Sequence, residues 1–461
     1  MYIEQMYTNC LAEAAYYIES GGEAAIIDPI REILPYIQKA RERGVKIKYV
    51  FETHFHADFV SGHIDLARES GARIVFGPGA DTSYDVYNAA DGELITIGKI
   101  RIKVLHTPGH TPESTSYLLQ DEQGKDYCIF TGDTLFVGDV GRPDLLDGKM
   151  TKEALAGMMY DSLQIKIKPL ADEVIVYPAH GPGSACGKNI GKETWSTIGQ
   201  QKKTNYALAD MPRKEFIGIL TEGLSAPPAY FFKDAQINKE GYENIETVMH
   251  KNMRALNGTE FRSEQKADVL ILDTRDPEAF ENGFIPGSIN IGLQGTFAVW
   301  VGTIIDIQTS LLLVTESGKE EESIRRLARV GYEKVLGYLK GGIASWTSSG
   351  ETLDRIQSVT AEEFCSLQDS SEVIDVRKEG EYDNLHVKGA RLIPLSELQA
   401  QLGVFDPKKQ YLVHCAGGYR SMIASSILKK NGIHNFKNVL GGMAKIKEAG
   451  AAVEKLKSVN E

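Results

Sequence analysis

The second half of the chain repeats itself, and that repeat constrains the fold more than any other feature. The stretch "ILDTRDPEAFENGFIPGSINIGL" (residues 271–293) matches "VIDVRKEGEYDNLHVKGARLIPL" (residues 373–395). The pairs Asp273/Asp375, Arg275/Arg377, Gly287/Gly389 and Leu293/Leu395 share one offset. Further on, "LLLVTESGKEEES" stands opposite "YLVHCAGGYRSM", which sets Thr315 against Cys415, and "GGIASW" at Gly341 stands opposite "GGMAKI" at Gly441. Each copy alternates buried-strand runs with helical ones, the pattern of a small α/β domain with a parallel sheet. Two tandem copies of one domain follow. A length of 461 residues fits roughly three domains at about 150 residues each, so a larger domain precedes the repeats. The expected division is 1–240, 241–353 and 354–461. "GLSAPPAYFF" near Pro227 and Pro228 closes the first part, and "SSGETLDRIQS" near Gly350 separates the copies.

In the first part, short β-rich runs end in polar turns that bear histidine or aspartate. "IKYVFETHFH" runs from Ile47 into His54 and His56, and "IRIKVLHTPGHT" leads from Ile100 to His110. "DYCIFTGDT" delivers Asp133, and "EVIVYPAHGPG" delivers His180. A strand emptying into such a loop, four times over, describes a sheet with a site along one edge. The order is His-x-His-x-Asp (His54, His56, Asp58), then a lone His, an Asp and a final His. Imidazole and carboxylate at this density point to a metal.

Bulk properties narrow the partners. The chain is 42% hydrophobic and 25% charged, and no apolar run approaches the roughly 18 residues of a membrane span. The opening "MYIEQMYTNC" lacks a basic region followed by an apolar one, so no secretory signal is expected. A net charge of −12 argues against non-specific nucleic-acid binding. Five scattered cysteines make no disulfide framework, and a reducing cytoplasm is the expected setting.

With "THFHAD", "TPGHT", "FTGDTLFVGDVGR" and "PAHG" in this order, residues 1–230 resemble the metallo-β-lactamase superfamily. The resemblance implies an αββα sandwich. In the two-metal hydrolases of that superfamily, His54, His56 and His110 would hold one metal. Asp58, the residue at position 59 and His180 would hold the second, with Asp133 bridging. Position 59 is Phe59, which ligates nothing. A two-metal hydrolase needs both ions to clamp nucleophile and leaving group. Two His and one carboxylate with open positions is the arrangement of non-haem Fe(II) oxygenases. The persulfide dioxygenase branch of the superfamily is built so. Carried over by position, its iron ligands fall on His54, His110 and Asp133. His56, Asp58 and His180 would then orient ligands or waters. A two-metal thioester hydrolase of the glyoxalase II type is the alternative.

Neighbouring residues divide into two groups. His63 and His106 lie outside the ligand pattern and read as structural. Arg142, in "GDVGRPD", either binds an anionic substrate group or pairs with a nearby carboxylate. Cys186 lies in a Gly-rich loop after His180, a loop expected to face the site, so it is a candidate for handling sulfur. Cys10 and Cys128 read as structural, and Cys365 in "AEEFCSL" as packing.

In the last copy, "HCAGGYRS" (414–421) follows a strand and precedes a helical run. Cys415 therefore sits on a loop of backbone N–H groups at a helix N-terminus, with Arg420 adding a fixed positive charge. Both stabilise a thiolate or persulfide anion. Loop and flanks resemble a rhodanese, a sulfurtransferase. The middle copy carries Thr315 for Cys415 and Glu320 for Arg420, in "TESGKEEES". Threonine is a nucleophile only with an activating base, and Glu316, Glu320, Glu321 and Glu322 repel a sulfane anion. It reads as an inactive rhodanese-like domain with a structural role, positioning its neighbours or forming an oligomer contact.

The whole order is similar to bacterial persulfide dioxygenase–sulfurtransferase fusions that detoxify sulfide. The resemblance implies one Fe(II) per chain, a low-molecular-weight thiol persulfide and O₂ as substrates, sulfite as intermediate, and thiosulfate formed through Cys415. It also implies a homo-oligomer.

Overall fold

The computed structural model describes residues 1–145, 150–224 and 227–456. Contacts divide the chain into two compact units. One is Met1–Val248 together with Arg326–Tyr332, and the other is Met249–Arg325 together with the chain from Glu333 onward.

The first unit is built on two six-stranded sheets, each with its strands side by side in chain order. One sheet runs from Tyr2–Thr8 to Tyr87–Asn88, the other from Leu94–Ile97 to Ser196–Thr197. The two-residue period of the strands explains the layering. Ile100, Ile102, Val104, Tyr117, Leu119, Cys128 and Phe130 of the second sheet share one core with Tyr16, Ile18, Ala25, Ile27 and Phe51 of the first. The residues between them, Leu105, Leu118, Ile129 and Val176, join a separate core with Ala156, Met159, Phe216 and Leu220. Those come from the helices Lys152–Ser162 and Arg213–Thr221. Helices therefore cover an outer face, as the expected sandwich requires. Each fully buried apolar side chain in such cores contributes about 1.5–3 kcal/mol. Thr151 caps the helix Lys152–Ser162 by accepting from the Ala154 N–H. That helix presses on the loop before His110: a Cβ on Gly109 would stand 2.4 Å from the Cα of Met159.

The segment Arg326–Tyr332 lies within the expected middle domain 241–353. Its contacts group it with the first unit. The cause is a buried guanidinium that needs acceptors. Arg31 is fully buried and donates to the carbonyl of Ala328 at 2.6 Å. The carbonyl of Arg329 accepts from the Val60 N–H at 2.7 Å. The Arg329 guanidinium reaches Glu32 at 2.6 Å and the Cys10 sulfur at 3.0 Å.

The second unit holds two five-stranded parallel sheets of identical order. In space the first reads Ala255–Leu256, Val335–Leu339, Ser310–Val314, Val269–Asp273, Ile289–Asn290. The second reads Ser358–Val359, Phe436–Val439, Tyr411–His414, Glu372–Asp375, Arg391–Leu392. The repeated Asp-x-Arg is a buried ion pair at the end of the strand next to the central one. Asp273 and Asp375 each accept from the guanidinium of the arginine two residues on, at 2.6 Å. The same guanidinium donates to the carbonyl of Gly283 in one copy and Leu385 in the other. Removing one partner of such a pair costs about 3–5 kcal/mol, so the motif belongs to the fold of both copies. The copies touch: Asn290 N–H donates to the Ser426 hydroxyl at 3.1 Å. No helix of the described residues is long and apolar enough to cross a membrane.

Candidate functional sites

Four loops of the first unit bring their polar residues to one place. Strand Lys46–Phe51 runs into His54, His56 and Asp58, and Ile100–His106 into His110. Strand Asp126–Gly132 runs into Asp133, and Ile175–Pro178 into His180. His54, His110 and Asp133 offer ligand atoms within 4.8 Å of one another, and so do His56, Asp58 and His180. Nε2 of His110 lies 3.3 Å and Nε2 of His54 lies 3.9 Å from Oδ2 of Asp133. The other oxygen of Asp133 is 3.6 Å from Nε2 of His180, which has Asp58 at 3.5 Å. All six side chains are buried.

The imidazoles are oriented from behind. Nδ1 of His110 donates to the Arg142 carbonyl at 2.9 Å, and Nδ1 of His180 to the Ala12 carbonyl at 3.2 Å. The Thr53 hydroxyl gives its one hydrogen to Asp28 at 2.8 Å, so it accepts from Nδ1–H of His54 at 2.9 Å. Each ring is thereby set to present Nε2 as a lone-pair donor. These three Nε2 atoms and both oxygens of Asp133 are buried without a hydrogen-bond partner. Each such atom left unsatisfied costs about 1–3 kcal/mol, and several aimed at one point fit a bound cation. Burial, reinforced by His56, His110 and His180, pushes the His54 imidazolium well below its usual range and leaves the neutral, ligating ring. Burial also disfavours charge on His180, but Asp58 and Asp133 outweigh it and raise that group.

Phe59 is fully buried, its ring centroid 4.4 Å from that of His56. It puts carbon where the resemblance places an imidazole. The loop that carries it is held by Asn238, from the helix Tyr230–Glu240. The Asn238 amide donates to the carbonyls of His56 and Phe59, both at 2.8 Å, and accepts from the Ser61 N–H at 2.9 Å. Gly132, at φ +52, lets the strand before Asp133 pass Thr53: a Cβ there would sit 2.6 Å from the Thr53 hydroxyl. Behind His56 lie buried acids that sequence reasoning missed. Asp28 is 3.2 Å and Glu52 3.7 Å from its Nε2. Burial first, then neighbouring carboxylates, raises Glu52 and Glu13 well above the usual range. Only the "ET" before His54 hinted at this layer.

The remaining candidates fall into place around these loops. Arg142 forks onto Asp144 at 2.7 and 2.8 Å, the carboxylate pairing left open by its sequence context. Cys186 is buried and offers its sulfur within 4.8 Å of ligand atoms of Asp133 and His180, so its loop does face the site. Burial, then Asp58 and Asp133, raises that thiol well above its usual range. His63 bonds the Tyr84 hydroxyl at 2.6 Å, and His106 the Pro112 carbonyl at 2.8 Å.

In the second unit, Cys415 follows strand Tyr411–His414 and precedes helix Tyr419–Lys430. Its sulfur is buried and accepts from the Gly418 N–H at 3.1 Å, with the Ser421 hydroxyl at 3.7 Å. Gly442 lets a second backbone approach, since a Cβ there would be 2.3 Å from the Cys415 carbonyl. Arg420 forks onto Glu381 at 2.5 and 2.8 Å. The Tyr419 hydroxyl donates to the carbonyl of Gly292 in the middle copy at 2.8 Å. In that copy, Thr315 is buried and the helix Glu320–Ala328 opens with Glu320, Glu321 and Glu322. Carboxylates there suit the helix N-terminus and oppose a sulfur anion.

Comparison with known proteins agrees with this architecture. The model of the metallo-beta-lactamase superfamily matches residues 8–180, and that of the rhodanese-like domain matches 259–349 and 360–449. The cytoplasmic hydroxyacylglutathione hydrolase of Arabidopsis thaliana is 34% identical over 179 residues, 38% of this chain. The match spans 66% of that protein, just under two thirds. The mitochondrial persulfide dioxygenase ETHE1 of Homo sapiens is 30% identical over 201 residues, 43% of this chain and 71% of that protein. The crystal structure of a metallo-beta-lactamase from Staphylococcus aureus subsp. aureus COL superposes with a TM-score of 0.66 at 34% identity, over 74% of this chain and 99% of that one.

Proposed function

We propose that this chain, which belongs to the metallo-β-lactamase superfamily and continues into two rhodanese-like domains, is an Fe(II) persulfide dioxygenase coupled to a sulfurtransferase. The observation that carries the reading is the contrast between two sets of buried ligands. His54, His110 and Asp133 bring together two imidazoles and one carboxylate with unpartnered atoms, the donor types of non-haem iron oxygenases. The second set lacks one of its imidazoles, because position 59 is Phe59.

One Fe(II) held by His54, His110 and Asp133 would supply the redox chemistry with O₂. The chain's residues do the rest. Thr53 and the carbonyls of Arg142 and Ala12 fix the imidazole orientations. Phe59 keeps a second cation out. Overall, a thiol persulfide RSSH with O₂ and water gives RSH, sulfite and two protons. In the rhodanese loop, the Cys415 thiolate takes the terminal sulfur of a second persulfide and RSH leaves. Sulfite then takes that sulfur from Cys415, giving thiosulfate and restoring the thiolate. Five free cysteines support a reducing, cytoplasmic setting. A homo-oligomer is part of the same reading.

The test is oxygen uptake by anaerobically prepared protein given glutathione persulfide or coenzyme A persulfide. Uptake that depends on the persulfide supports the reading; hydrolysis of a glutathione thioester without uptake sinks it. The thioester-hydrolase reading is kept in play by one observation: His56, Asp58 and His180 still offer ligand atoms within 4.8 Å. Position 59 separates the two. Phe59→His is expected to raise the metal content from one ion toward two per chain, measured by mass spectrometry of metals. An unchanged content contradicts this account of the phenylalanine.

A further inference from the structure

The two rhodanese-like copies form a controlled comparison within one chain. They share strand order and the buried Asp-x-Arg pair. They differ in the cysteine, and they differ in a second pair at the same time. Arg420 is replaced by Glu320 in the middle copy, and Glu381 by Ala279. The middle copy still forms the corresponding short helix, Pro277–Asn282, and the same sheet. The fold therefore does not require the Arg420–Glu381 pair. Both members go where the cysteine goes.

We propose that Glu381 is a positioning residue for sulfur transfer, locking Arg420 in place beside the Cys415 loop. This rests on the reading of Cys415 as the sulfur acceptor. The fork is bidentate, 2.5 and 2.8 Å, which fixes the guanidinium plane as well as its position. It occupies two of the five N–H groups and leaves the others for an anion at the loop. The side chains of Arg420 and Glu381 are 17% and 36% exposed, so the pair sits at the rim rather than in a core. Without it, Arg420 is a long side chain with several rotamers and no fixed charge position.

Glu381 has one competing role. Its carboxylate also accepts from the Lys378 N–H at 3.2 Å, at the start of helix Glu379–Asn384. A glutamine side-chain oxygen accepts from that N–H as well, so Glu381→Gln keeps this contact and removes the charge. Glu381→Asp keeps the charge.

The experiment uses the full chain with thiosulfate as donor. In the loading step the S–S bond of thiosulfate breaks, its outer sulfur bonds to the Cys415 thiolate, and sulfite leaves with the electron pair. The rate of Cys415 persulfide formation is followed by mass spectrometry, beside the melting temperature. Glu381→Gln is expected to load about tenfold more slowly with its melting temperature within about 2 °C of the parent, and Glu381→Asp to recover part of the rate. Loading at the parent rate, with a melting temperature lowered by several degrees, overturns the proposal and makes the pair structural. If the unsubstituted protein itself does not load at Cys415, the sulfurtransferase reading fails, and the positioning role falls with it.

Discussion

Cys415→Ser is expected to consume oxygen at the parent rate while releasing sulfite in place of thiosulfate. The substitution exchanges one atom of similar size in a buried loop, where the Gly418 N–H donates to it. Serine preserves that contact and the fold. It does not preserve the chemistry, because the thiolate is the nucleophile for sulfur and an alcohol there has no activating base. Losing a nucleophile in such a site lowers turnover by more than about 10³-fold. Separate quantitation of sulfite and thiosulfate reads the effect. Unchanged thiosulfate output would refute the role given to Cys415. A loss of oxygen uptake as large as the loss of thiosulfate would show that the two chemistries are not separable.

Asp133→Asn carries the largest effect on the metal centre. Asp133 is the residue on which the cluster closes, 3.3 Å from His110, 3.9 Å from His54 and 3.6 Å from His180. It is also the only anionic member of the proposed iron set. An amide keeps the volume and removes the charge that binds a hard cation. The expected outcome is protein that folds, holds less than about a tenth of its iron, and takes up oxygen more than about 100-fold more slowly. Iron content and oxygen uptake close to the parent values would move the metal away from Asp133.

Much of this was legible in the residues. The repeat announced two copies of one parallel-sheet domain because the Asp-x-Arg pair, the glycines and the strand runs recur in one order. The six residues of the candidate metal site were legible because each stands in a loop beyond a strand, where the chain must turn and polar groups concentrate. Residues that act from a distance in sequence were not. Asn238 fixes the loop at His56–Ser61 from a helix far along the chain, and nothing in "QINKE" signals it. Asp28 lies just beyond a strand, and its burial behind His56 is a product of sheet packing. The grouping of Arg326–Tyr332 with the first unit was likewise hidden, since it depends on Arg31 finding acceptors there. Glu381 was discoverable: the loss of Arg420 and Glu381 together in the middle copy was present in the alignment of the repeats.

The most direct test of the central claim is the metal content of full-length protein isolated without oxygen or added metal. His54, His110 and Asp133 with Phe59 beside them predict one iron per chain. Two zinc ions per chain, with position 59 still phenylalanine, would contradict the one-metal site on which the dioxygenase account stands.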